Sequence, residues 1–178
     1  MSKKIHVLEH SQKILNALSK GILLTTKADN KVDSMVISWG MLGIEWNKPI
    51  FTIFIREHRF TRSQLDKNPE FSLNIPDGII DKNIMKICGT QSGHDIDKIK
   101  ELNLTLLDGE MISVPAIKEL PITLECKVIY KQPQVLSHIP HEYLNRFYPD
   151  NVDVTYHGEN KDLHIAYYGE IVNAYIIE

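Results

Sequence analysis

Arg56, Arg59 and Thr61 share the six-residue run Arg56-Glu57-His58-Arg59-Phe60-Thr61. Two guanidinium groups and a hydroxyl at this spacing can take a phosphate, because arginine offers forked, charge-assisted hydrogen bonds to its oxygens. The run lies where an apolar, strand-like stretch gives way to "TRSQ", in which Thr61 and Gln64 have the spacing of a capping box. Free amide groups and the positive end of a helix dipole favour an anion at such a place. The competing reading is a solvated charged turn whose arginines pair with Glu57 and Asp66.

A second cluster is "CGTQSGHDIDK", residues 88–98. Gly89, Thr90, Ser92 and Gly93 supply open backbone and hydroxyls that can wrap a polyol or a phosphate, and Lys98 adds charge. An ordinary connection between helices has the same composition. In "ISWG", Trp39 beside Gly40 can present an aromatic edge to a planar ring, or simply pack into a core. Other chemistries lack their signatures. His138 and His141 have Pro140 between them and no carboxylate or cysteine spacing to complete a metal set. There is no G-x-G-x-x-G, no G-x-x-x-x-G-K and no G-x-S-x-G. Cys88 can serve as a nucleophile, but no base is marked for it, and Cys88 and Cys126 also suit a core.

The elements that must position these groups follow from periodicity. Residues 11–19 form a helix capped by Ser11, with Ile14, Leu15 and Leu18 on one face. "GILLTTKA" is a strand and Asp29-Asn30-Lys31 a turn. "SMVISWGM" and "PIFTIFIR" are two further strands joined through Gly43 to Pro49. A short helix runs from Arg62 to Lys67 under a Thr61 cap, and "EFSLNIP" is a strand. "DKNIMKIC" is a helix, and "SGHDIDKIKEL" opens another behind a Ser92 cap. In "PITLECKVIY", Ile122, Leu124, Cys126, Val128 and Tyr130 alternate with polar residues, which predicts a strand with one buried face. "HEYLNRF" is a small helix, and "HIAYYGEIVNAYII" is a last strand with Gly169 as a bulge or close-approach point. Six or seven strands and three or four helices without regular alternation predict an antiparallel barrel or sandwich with peripheral helices.

The 178 residues fit one domain large enough to bury a core. A 43% apolar and 24% charged composition is globular, and a net charge of −3 without a basic block disfavours nucleic acid as partner. No apolar run approaches the ~18 residues of a membrane span. The polar start and two cysteines without a CxxC predict reduced thiols and a cytoplasmic protein. "YPDNVDVTYHGENKD" reads as a surface loop, one that can cover a neighbouring subunit's site.

In order along the chain, "SMVISWGMLGIEWNKPIFTIFIREHRFTRSQL", "FSLNIP", "CGTQSGHDIDKIKELNLT" and "HIAYYGEIVNAYIIE" resemble the flavin reductase-like, FMN-binding split-barrel proteins, particularly their flavoredoxin-like branch. The resemblance runs from about Gly21 to the C-terminus. It implies a single mainly β domain over residues 1–178, a Greek-key split barrel with peripheral helices. It implies FMN as cofactor, NADH or NADPH as reductant, and a homodimer with the pocket near its interface. The implied reaction is hydride transfer to the flavin N5. The alternative within the family is an FMN electron carrier reduced by a redox protein partner. A third reading keeps the barrel and changes the ligand, as in relatives that handle pyridoxamine phosphate or haem.

Residue by residue, the resemblance runs Val36, Ile37, Ser38 and Trp39 along the isoalloxazine ring. Arg56, Arg59 and Thr61 match an R-x-x-R-x-T element that grips the phosphate end. Asn74 lies beneath the flavin, and Thr90, Ser92, Gly93, Asp97 and Lys98 close the other side. Tyr167 or Tyr168 lines the pocket, from this chain or from a partner subunit. Two departures concern the second substrate: His94 stands where relatives often have arginine, and Glu57-His58 replaces a smaller pair.

Overall fold

Apolar and β-branched runs dominate the chain, and they assemble into one antiparallel sheet. A computed structural model describes residues 1–178. Strand β1 (Ser2–Lys4) leads through a short 3-10 turn into helix α1 (Ser11–Leu18), then β2 (Ile22–Ala28), β3 (Lys31–Ile37), β4 (Gly40–Glu45) and β5 (Lys48–Arg56). Helix α2 (Phe60–Lys67), β6 (Glu70–Ile75), α3 (Lys82–Thr90), α4 (Lys98–Glu101) and the two-residue strands β7 (Leu106–Leu107) and β8 (Ala116–Ile117) follow. The long β9 (Ile122–Pro133), α5 (His141–Phe147) and β10 (His164–Ile177) complete the chain.

The sheet order is β3-β2-β6-β9-β10-β5-β4, with β1 added to β10. The outer strands β3 and β4 are joined by Ser38 and Trp39 alone. That joint spans at most roughly 11 Å, whereas a flat sheet of this order would hold its outer strands roughly 29 Å apart. The sheet therefore curls into a barrel, and because β3 and β4 share no ladder the barrel is split at that seam. Its interior is filled by buried side chains including Ile22, Leu24, Phe51, Ile53, Phe71, Leu73, Leu124 and Tyr167, and α1 adds Ile14 and Leu18. Burying each such aliphatic side chain contributes about 1.5–3 kcal/mol.

Several elements differ from the sequence expectations. The stretch "SMVISWGM" is not one strand: β3 ends at Ile37 and β4 begins at Gly40, because the chain crosses there from one sheet edge to the other. The β4–β5 hairpin is tighter than Gly43 to Pro49; Glu45 pairs with Lys48, and the turn is Trp46-Asn47, both left-handed (φ 50° and 59°). Helix α2 starts at Phe60 with Arg59 as N-cap and no side-chain cap. Gln64 serves instead to bond Thr26 Oγ1 and the Lys31 carbonyl. Ser11 opens α1 without capping it, the N-cap being His10. Ser92 caps no helix; its Oγ accepts from the His94 amide, and only the short α4 follows, capped by Asp97. In β9 the polar alternates Thr123 and Glu125 are fully buried, because residues 104–120 cover that outer face and meet α3 in a second apolar cluster. Tyr130, at the far end of β9, is exposed. Gly169 does mark a register shift in β10, and a Cβ there would stand 2.4 Å from Phe71 Cζ.

Candidate functional site

Two adjoining cavities flank β3, and the first opens at the β3–β4 joint. The first, about 290 Å³, is walled by Met35, Val36, Ile37, Ser38 and Trp39, with Phe54, Arg56, Arg59 and His164 opposite. The crossing between sheet edges is what bares this wall. Trp39 is held edge-on to Phe147, with ring centroids 5.4 Å apart, and tilted against His164 at 5.3 Å. His164 is 7% exposed. Burial, with the charges of Arg56 and Arg59, pushes its imidazole down to about 3, so it is neutral here. The roof is His157, Gly158 and Glu159. These belong to the 148–162 segment, which lies over a cavity of its own chain.

Arg56 and Arg59 do different work. Arg56 is 7% exposed, and Nη1 donates to the Asn160 carbonyl and side-chain oxygens, each at 3.1 Å, and to the Asp162 carbonyl. Nη2 donates to the Phe147 carbonyl at 3.1 Å. Its hydrogen bonds thus strap the 147–162 segment to the end of β5. Asp162 reinforces the strap, accepting from the His58 amide and facing His58 Nδ1, both at 2.9 Å. Arg59 lines both cavities, and its side chain bonds only His157, at Nδ1 (3.2 Å) and the carbonyl (3.3 Å). No carboxylate lies within ion-pair distance of either arginine, so the expected pairing with Glu57 or Asp66 does not occur; Asp66 pairs with Arg62 and Lys131. Burial lowers the pKa of Arg59, and Asp162 opposes the shift. Beside Arg59, the Phe60 and Thr61 amide groups at the start of α2 have no acceptor within the chain.

The second cavity, about 410 Å³, lies between this turn and residues 88–98; Thr61, Ser92, Gly93 and Lys98 line it together with Asp33, Phe60, Cys88 and His94. Lys98 and Asp33 are both buried and pair at 3.1 Å. Burial raises the Asp33 carboxyl, and Lys98 opposes the shift. Burial also pushes the Cys88 thiol up to about 11, which leaves it protonated and a poor nucleophile.

Five of the residues named from the sequence lie off the walls of both cavities. Asn74 is fully buried in the sheet, its side chain joined to Thr25, Ser72 and Thr123. Tyr167 is 1% exposed inside the barrel core, and Tyr168 packs on Tyr130. Thr90 bonds the Lys86 carbonyl, and Asp97 caps α4. Asp33, Phe54, His157, Asp162 and His164 line the cavities without having been expected there. For Asp33 one signal was available, a carboxylate two residues before the apolar wall; the others depend on long-range closure.

The family model described as "Flavin reductase like domain" matches residues 16–178. An uncharacterized protein of Archaeoglobus fulgidus is 30% identical over 99 residues, 56% of this chain and 55% of that protein, so the match spans about half of the relative's length. Flavoredoxin from Methanosarcina acetivorans superposes with a TM-score of 0.64 at 23% identity, over 89% of this chain and 68% of that one. An FMN-binding domain of a flavin reductase-like enzyme from Shewanella baltica gives 0.63 at 14% identity, over 99% and 77%. At these identities the superpositions show a common fold.

Proposed function

Because the chain belongs to the flavin reductase-like domain family, we propose that it binds FMN and acts as an NAD(P)H-dependent flavin oxidoreductase. The observation that carries the flavin reading is an anion site in search of its anion. Arg59 has no carboxylate partner, and the Phe60 and Thr61 amide groups beside it point out of a helix N-terminus with nothing to bond. A phosphate satisfies all of these groups at once, and the adjoining wall from Val36 to Trp39 suits a flat aromatic ring. These residues fit FMN: Val36, Ile37, Ser38 and Trp39 would hold its ring and Arg59 and Thr61 its phosphate, with Ser92, Gly93 and Lys98 alongside.

When bound, the flavin supplies hydride chemistry at N5. The chain's own part is to bind, orient and shield. The strap pinned by Arg56 keeps His157, Gly158 and Glu159 beside the first cavity. The neutral His164 contributes no charge beside the wall, and the Arg56 and Arg59 guanidinium groups supply a positive field that favours an electron-rich ligand. The exposed apolar residues Met41, Ile44 and Trp46 lie on the outer strand β4 and its turn, an edge that subunit contact would cover, and we place a homodimer there. A cytoplasmic setting matches the two free cysteines.

The visible absorption spectrum of freshly purified protein tests the flavin reading, with bands near the flavin maxima expected after FMN is added and excess removed. A colourless protein under those conditions overturns it. Oxidation of NADH and NADPH, followed with and without added flavin, tests the activity. No turnover with either nucleotide, together with reduction by a ferredoxin-like donor, identifies an electron carrier instead. Light scattering that reports a monomer with full flavin affinity removes the dimer.

A further inference from the structure

Asp33 and Lys98 form a charged pair that the fold buries yet leaves incompletely bonded. Their side chains are each 2% exposed, and Lys98 Nζ stands 3.1 Å from Asp33 Oδ1. Asp33 Oδ2 has no hydrogen-bond partner. Nζ carries three N–H groups and has Asp33 as its only ion-pair partner. Both residues line the second cavity, beside Thr61 and Gly93. Gly93 lies so close over the pair that a Cβ would stand 2.6 Å from Asp33 Cγ, so only glycine lets the loop settle there. Apolar side chains of similar volume would commonly serve stability as well as a buried ion pair or better. A pair with unused donors and acceptors on a cavity wall therefore suits a ligand.

We propose that Asp33 Oδ2 and Lys98 Nζ bind a hydroxyl-bearing carbon chain. A hydroxyl donates to the carboxylate oxygen and accepts from the ammonium at the same time, so it completes both. A phosphate dianion does not, because it has no hydrogen for Oδ2 and its charge opposes that of Asp33. An apolar group leaves both unpaired. The inference rests on the flavin reading, in which the chain is the ribityl of FMN; the ribose of a nicotinamide nucleotide offers the same hydroxyls.

The test is a set of fluorescence titrations of wild type, Asp33→Asn and Lys98→Met with FMN, riboflavin, lumiflavin and NADH. Lumiflavin keeps the ring and replaces the ribityl chain by a methyl group. Each variant is expected to bind riboflavin and FMN about tenfold or more weakly, the scale of one hydrogen bond to a charged group, with lumiflavin unchanged. That pattern assigns the subsite to the ribityl chain. Weakening confined to NADH assigns it to the nucleotide's ribose and still sustains a hydroxyl subsite. Unchanged affinity for all four ligands in variants with wild-type melting temperature overturns the inference, as does an equal loss for riboflavin and lumiflavin. A wild-type protein that binds none of the four overturns the flavin reading and this inference with it. Should a single variant fail to fold, the double variant Asp33→Asn/Lys98→Met, which removes both charges, gives the same readout.

Discussion

Replacing Arg59 by glutamine separates a phosphate contact from every other role the cavity residues play. In the ligand-free fold, the Arg59 side chain bonds only His157, through contacts of 3.2 and 3.3 Å, toward the long end of the hydrogen-bond range. Their loss should cost the fold less than about 1 kcal/mol. A phosphate oxygen held by the same guanidinium is a charge-assisted bond of about 1.5–3 kcal/mol, so Arg59→Gln should raise the Kd for FMN roughly 10- to 150-fold. Arg59 is half-buried, so salt screens part of this energy, and the ratio should move toward the lower end as ionic strength rises. Riboflavin has the ring and ribityl chain without the phosphate, and its Kd should not change. Flavin fluorescence quenching, titrated for both ligands at two salt concentrations, measures all of this. Equal losses for FMN and riboflavin would show that Arg59 shapes the pocket rather than holding phosphate. An unchanged FMN affinity in a folded variant would refute the anion site outright.

Arg56→Gln should behave oppositely: it leaves the carbonyls of Phe147, Asn160 and Asp162 without their buried donor. The expected cost is about 2–4 kcal/mol in denaturant unfolding, with new protease cleavage between residues 148 and 162. His164 should impose a pH dependence on stability. Its folded pKa of about 3 lies below the unfolded value of 6.5, so the unfolded chain binds more protons between these limits. The stabilisation is complete above pH 6.5 and is lost as pH falls toward 3. At pH 5 the loss from this group should be about 2 kcal/mol relative to pH 7, and a His164→Gln variant should lack that slope in urea titrations. Glu125→Gln should destabilise by about 1–3 kcal/mol in the same assay. The fully buried carboxylate accepts from the Glu110 and Met111 amide groups at 2.7 and 2.8 Å, and from Tyr175 and Asn173. An amide nitrogen in place of either oxygen would face a donor.

The fold was legible wherever one local rule governed a segment. The run of β-branched and apolar residues in β2 and the Asp29-Asn30 turn needed no tertiary information, because both turn residues tolerate the left-handed backbone they adopt. Reading failed where a distant segment changed the environment. Thr123 and Glu125 have the polarity of solvent-facing residues, yet residues 104–120 cover them, and the buried acid is satisfied by backbone from that same cover. The break between Ile37 and Gly40 was hidden for a related reason. Both sides are good strands, and only closure of the barrel demands that the chain cross the seam between them.

The same distinction explains what was and was not visible at the candidate site. Spacing treats Arg56 and Arg59 as equals, two guanidinium groups in one turn. Strand register separates them. Arg56 is still part of β5, paired with His164 of β10, so its side chain emerges among the carbonyls of the residues that lead into β10. Arg59, three residues on, has left the sheet and caps α2, where the neighbouring amide groups are free. One arginine is therefore absorbed by the protein and the other is offered to a ligand. Which is which depends on a pairing partner more than a hundred positions away, a relation that no local motif encodes. The division also orders the consequences of mutation: damage at Arg56 should appear first as a loosened strap, and damage at Arg59 first as a lost preference for the phosphorylated flavin.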